Sequence, residues 1–181
     1  MRVMVASVQV PFVRGGAESH AEGLRRALQA HGHEADVVTL PFWREPPGEL
    51  GHMIDSWARL RPRHWWVAPD RVIALKFPAW LCDHADLRIW MLHQYREAWD
   101  QLDRPRYERD ADFRAATDRV RALDREVLGR AAREGRLVTN SGNVSRRLAR
   151  DCGIDAPPLY HPPPSAEGIW SAEAQPVIFA P

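Results

Sequence analysis

Residues 3–8 read VMVASV; a turn then runs to the pair Gly15-Gly16, and a patterned stretch begins at Ala17. Six valine-rich residues, apolar in both registers, suit a strand buried on both faces. Ala17, Ala21, Leu24 and Leu28 then follow at steps of four, three and four, one apolar stripe on a helix that runs to about His31. Gly32 stands where such a helix ends. A buried strand, a glycine turn and an amphipathic helix in that order make the first half of a β-α-β unit.

The same alternation continues along the chain. Residues 35–40, 71–75, 87–92 and 136–139 read as further strands, and residues 158–160 as a short sixth. Leu50, Ile54 and Trp57 mark a helix that ends before Pro62. Phe113, Ala116, Val120, Leu123 and Val127 mark a long one, and Val144 and Leu148 a shorter one ending near Gly153. Strands separated by helices predict an α/β fold, a doubly wound, Rossmann-like parallel sheet with helices on both faces. Residues 1–161 form this domain in the sequence reading. Residues 162–176, with three consecutive prolines and then a polar stretch, read as an interdomain linker, and the apolar run at 177–181 as the opening of a second domain.

Composition sets limits on function. The chain has 181 residues and a formal net charge of +1, which argues against a disordered chain and against a strongly basic nucleic-acid binder. Lys76 is the only lysine, and the arginines that carry the rest of the positive charge are spread along the chain. Cys82 and Cys152, assigned to helical segments, have no metal-ligand spacing and read as free thiols of a reduced compartment. No signal segment or spanning run is visible, so a cytoplasmic location is expected. Arg121, Arg125, Arg130 and Arg133 recur along the long helix. Asp118, Asp124, Glu126 and Glu134 are interleaved with them, so a solvated face is expected and a membrane surface has no support. Most tryptophans, at 43, 57, 65, 66, 80 and 90, read as core.

Candidate chemistry gathers where strands end, because ligands of open α/β sheets bind at the carboxyl ends of the strands. Gly15 and Gly16 permit close approach of a ligand to backbone N–H groups at a helix start; a tight turn alone would also explain them. The run is neither a dinucleotide fingerprint nor a Walker loop. His93 directly follows the fourth strand, placed to bond a substrate hydroxyl or handle a proton, or else to act as a structural hydrogen-bonding group. Asn140 and Ser141 follow the fifth strand, Ser141 as a natural helix cap. Lys76 follows the third. Tyr95 and Trp99 fall in a charged loop where their faces can stack on a ligand.

Together these pieces resemble the retaining family-4 glycosyltransferases of the GT-B fold. Val13-Arg14-Gly15-Gly16-Ala17-Glu18 is similar to their Gly-Gly-x-Glu turn. VIALKFPAW at 72–80, IWMLHQYR at 89–96, NSGNVSRRL at 140–148 and the proline-bearing stretch at 159–164 resemble family segments in the same order. The resemblance implies the N-terminal, acceptor-side half of a two-domain enzyme whose C-terminal domain holds a nucleotide sugar. The implied reaction transfers that sugar to an acceptor hydroxyl with retention, and the fragment alone is expected to be inactive. It further implies that Gly15 and Gly16 face the donor diphosphate and that His93 orients the donor sugar. Lys76, Gln94, Tyr95, Arg96, Asn140 and Ser141 would line the cleft or acceptor side, with residues 94–106 at the entrance. Partners would be the nucleotide sugar and a glycan, lipid or small-molecule acceptor, with no metal or other cofactor. His161 departs from the family pattern. Two alternatives remain open: an epimerase acting on a UDP-N-acetylhexosamine, and an acceptor-binding module that pairs with a separate C-terminal half.

Overall fold

In the computed structural model, residues 1–43 and 45–163 are described, with Gly168 and Glu173 beyond them. The expected linker and second-domain opening therefore lie almost entirely outside the described residues.

Five strands form one parallel sheet: β1 (Arg2–Gln9), β2 (Glu34–Pro41), β3 (Arg71–Ala74), β4 (Leu87–Met91) and β5 (Leu137–Thr139). Their spatial order is β2-β1-β3-β4-β5. The order reverses beside β1, so the strand ends there splay apart and open a crevice on the carboxyl rim. Helices α1 (Gly16–Ala30), α2 (Pro47–Arg59), α3 (Arg104–Arg109), α4 (Ala111–Arg133) and α5 (Gly142–Cys152) connect or follow the strands.

Strand alternation sorts the core into two layers. Val5, Leu75 and Leu92 pack with Ala21 of α1, joined by Ala17, Leu24 and Leu28 from the predicted stripe. Met4, Ala6 and Val8 of β1 point the other way, as do Val72, Ala74, Ile89, Met91 and Leu137. There they meet Leu50, Ile54 and Trp57 of α2, Val120, Val127 and Leu128 of α4, and Val144 and Leu148 of α5. Helices thus cover both faces, α1 on one and α2, α4 and α5 on the other. A fully buried side chain such as Leu128 contributes about 1.5–3 kcal/mol of transfer free energy.

Helix ends follow the sequence. Gly32 and Gly153 take positive φ, +79° and +68°, just past α1 and α5, where a side chain would be strained. Ser141 caps α5, its Oγ accepting from the Val144 N–H at 3.4 Å.

Several expectations fail locally. Residues 158–160 form a single bridge, Pro158 to Thr139, rather than a strand, because three prolines between 157 and 162 remove donors a ladder needs. Cys82 follows a single 3-10 turn (Ala79–Leu81) instead of lying in a helix. Trp43, Trp65 and Trp66 are exposed, Trp66 completely, because they sit on connections outside the helices and strands. The short helix α3 occupies part of a stretch read as loop. No helix among the described residues is long and apolar enough to cross a membrane.

Candidate functional site on the carboxyl rim

The first rim element is the turn between β1 and α1. Phe42 beyond β2 donates its N–H to Gln9, tying the ends of two strands together (2.8 Å). Gly15 is the N-cap of α1 in an extended conformation, and its N–H donates to Glu18 Oε2 at 2.8 Å. The Glu18 carboxylate thus closes the turn and faces the positive end of the helix. Neither Gly15 nor Gly16 has positive φ, and a Cβ on Gly16 would meet nothing within 4 Å. The local backbone therefore does not require these glycines. The open space above Gly16 is what a ligand approaching the helix N-terminus needs.

Beside this turn lies an open cleft of about 460 Å³ lined by Gln9, Pro11, Phe12, Val13, Arg14 and Pro41. Phe12 sits at its lip, fully exposed, with φ of +64°. A bulky residue in that region is strained by about 1–2 kcal/mol.

Lys76, His93 and Asn140 come together at the ends of three adjacent strands. Leu92 donates its N–H to the Leu75 carbonyl (3.0 Å), a bond just past the ends of β4 and β3, and His93 and Lys76 are the next residues on each. Asn140 donates its N–H to Met91 (2.9 Å), and its Oδ1 accepts from Ser141 Oγ (3.1 Å). His93 is partly buried, and its Nδ1 lies 2.7 Å from the Gln94 carbonyl. A carbonyl only accepts, so Nδ1 carries the proton and the neutral ring keeps its lone pair on Nε2. Burial pushes the His93 pKa down, and the nearby charges of Lys76, Arg147 and Arg96 push the same way, against the Gln94 hydrogen bond. The neutral imidazole is favoured, able to accept a bond from a hydroxyl.

The neighbours of His93 divide. Gln94, expected at the entrance, is fully buried; its Nε2 donates to Asp151 of α5 (3.3 Å) and its Oε1 has no partner. It belongs to the interior, because the chain turns inward after β4 to pack on α5. Tyr95 packs edge-on to Phe42 and against Phe77. Arg96 forms a bidentate pair with Asp100, which also meets Arg147 of α5. Trp99 is half-buried beneath the guanidinium groups of Arg121 and Arg125, so its ring does not stand free for stacking on an acceptor.

Two polar clusters were not visible as such in the sequence. Asp124, expected on a solvated face, is completely buried in α4 and accepts from the indoles of Trp80 (3.3 Å) and Trp99 (3.0 Å). Burial raises its pKa to about 7, against the two indole hydrogen bonds that lower it. It pins the loops after β3 and β4 to one helix. The available signal was register: Asp124 lies four residues after Val120 and three before Val127, on the apolar stripe.

The second cluster joins His20 of α1, Trp90 of β4 and His161. The His20 ring lies edge-on to Trp90 and to His161, with centroids 4.4 and 4.5 Å apart. Trp90 Nε1 also donates to the Leu159 carbonyl (2.9 Å), so the chain after β5 is held across the sheet toward α1. Both His20 nitrogens are buried without partners, and burial first, then the His161 charge, lowers its pKa to about 4. This contact gives His161 a structural role.

Both cysteines are free, with pKa values pushed up to about 12, chiefly by burial, so neither is an activated nucleophile. Among the described residues, no group of three or more His, Cys, Asp or Glu is placed to hold a metal. No family model, curated protein or solved structure matches the chain.

Proposed function

We propose that this chain is the acceptor-side domain of a glycosyltransferase that moves a sugar from a nucleotide donor to an acceptor hydroxyl with retention. The observation that carries the reading is the Gly15-Gly16 turn. Two glycines that the backbone does not require stand at the N-terminus of α1, with open space above Gly16. Unpaired N–H groups at that helix end suit the charge that builds on a departing diphosphate. The Gly15 N–H is held by Glu18, so in this reading the carboxylate swings aside when the diphosphate arrives. His93, neutral and with Nε2 free to accept, orients a sugar hydroxyl from the same rim.

The test uses the complete gene product and a panel of nucleotide sugars. Slow donor hydrolysis, read as nucleoside diphosphate release, reports a competent donor site without knowledge of the acceptor. Release that disappears in Gly16→Val supports the transferase. Conversion of the sugar with the nucleotide still attached favours an epimerase instead, and no consumption of any donor overturns the reading.

A further inference from the structure

Lys76 stands apart from the two arginines nearest His93. Arg96 and Arg147 share Asp100, whereas Lys76, half-buried at the end of β3, has no ion pair or hydrogen bond from its side chain among the described residues. A partly desolvated cation without a counter-charge is unfavourable unless something else supplies the charge. The Lys76 backbone is also well fixed. Its carbonyl accepts from Ala79 (2.8 Å), and the preceding Leu75 is bonded to both Ala6 and Leu92. Phe77, Ala79 and Trp80, which follow, are buried. The side chain therefore starts from a rigid base.

Three further groups surround this position. His93 and Lys76 follow the residues of the Leu92–Leu75 bond on neighbouring strands, and among the described residues the His93 Nε2 is not engaged. Arg147 reaches from α5, with one Asp100 oxygen 3.4 Å from Nη1 and its buried Nε unpartnered. Arg96 lies near enough for its charge to act on His93, as do the charges of Lys76 and Arg147. Three cations around one imidazole, with a single carboxylate between two of them, leave excess positive charge on the rim.

We propose that Lys76 and Arg147, backed by Arg96, form beside His93 an oxyanion subsite that binds a phosphate group of the acceptor. The oxyanion site stands on these residues; only the word acceptor rests on the transferase reading. Lys76 supplies the point charge and Arg147 a second, while the His93 ring, whose Nε2 serves the sugar in that reading, senses the charge of the bound anion. Phosphate is chosen over carboxylate because its several oxygens can accept from Lys76 and Arg147 at once. This places phosphate recognition on the β3-β4-α5 side of the rim, away from the Gly15-Gly16 turn.

The test is an NMR pH titration of the His93 ring in the 181-residue chain, at matched ionic strength, with chloride, acetate or inorganic phosphate as the anion. Phosphate is expected to raise the His93 pKa, reversing the downward push of its cationic neighbours. Lys76→Gln should raise the His93 pKa in chloride, by removing a like charge, and weaken the phosphate response by about tenfold or more in apparent affinity. Lys76→Arg should keep it. An amide spectrum of each variant confirms the fold. A His93 pKa indifferent to phosphate, or equally responsive in Lys76→Gln, overturns the proposal, as does an equal response to acetate. Failure here leaves donor hydrolysis untouched, and a phosphate response without donor hydrolysis leaves the site standing while removing the transferase.

Discussion

Asp124 and His20 should give this protein a stability that hardly changes with pH over a range where each alone would change it strongly. The Asp124 pKa rises from 3.8 unfolded to about 7 folded. The folded state binds that proton more tightly, so its stabilisation is complete below pH 3.8 and is lost as pH rises through 7. Three pKa units at 1.36 kcal/mol each make the loss about 4 kcal/mol. The His20 pKa falls from 6.5 to about 4, so the unfolded state takes up its proton first. Stability is then lost as pH falls from 6.5 through 4, by about 3 kcal/mol. Between pH 4 and 6.5 the two slopes oppose each other and nearly cancel. His20→Phe keeps an aromatic ring against Trp90 and His161 and removes one slope. Relative to wild type, it should gain about 3 kcal/mol of unfolding free energy on going from pH 6.5 to 4. Asp124→Asn should lose a similar amount over the same interval, on top of a pH-independent cost because one indole N–H then faces an amide N–H. Urea unfolding at four pH values, followed by tryptophan fluorescence, measures both. Comparing each variant with wild type removes the other carboxylates. If all three proteins show parallel pH profiles, neither group is buried as described and the reasoning fails.

Gly16→Val should leave the melting temperature within a few degrees of wild type, since a Cβ there meets nothing within 4 Å, while on the transferase reading donor turnover falls sharply. A large loss of stability would make the glycine structural. If the transferase reading holds, His93→Ala should lower kcat and kcat/KM for the sugar donor together by about 10²-fold, the usual scale for a positioned catalytic group; a lower melting temperature with unchanged kcat would return His93 to a structural role. Phe12→Gly should relieve the positive-φ strain and raise stability by up to about 1 kcal/mol, measured by urea titration, and an unchanged or lower value would mean that the conformation carries no strain.

The layered α/β architecture was legible because its signals are local. Residues 3–8 and the stripe Ala17, Ala21, Leu24 and Leu28 announce their partners through period and side-chain type, and Gly32 and Gly153 mark helix ends by backbone freedom alone. The rim residues were legible for a related reason: a residue that ends a parallel strand lies on the ligand-binding edge whatever the details of packing. Those cues fix where His93, Lys76, Asn140 and Ser141 sit but not what they touch. Gln94 looked like an entrance residue and is buried, Asp124 looked solvated and lies between two indoles, and His161, a departure from the family pattern, packs on His20. Each outcome depends on segments far apart in sequence, α5 folding over the end of β4, or the chain after β5 crossing to α1. Burial of a polar group is a property of several elements meeting, so only the tertiary structure could decide it.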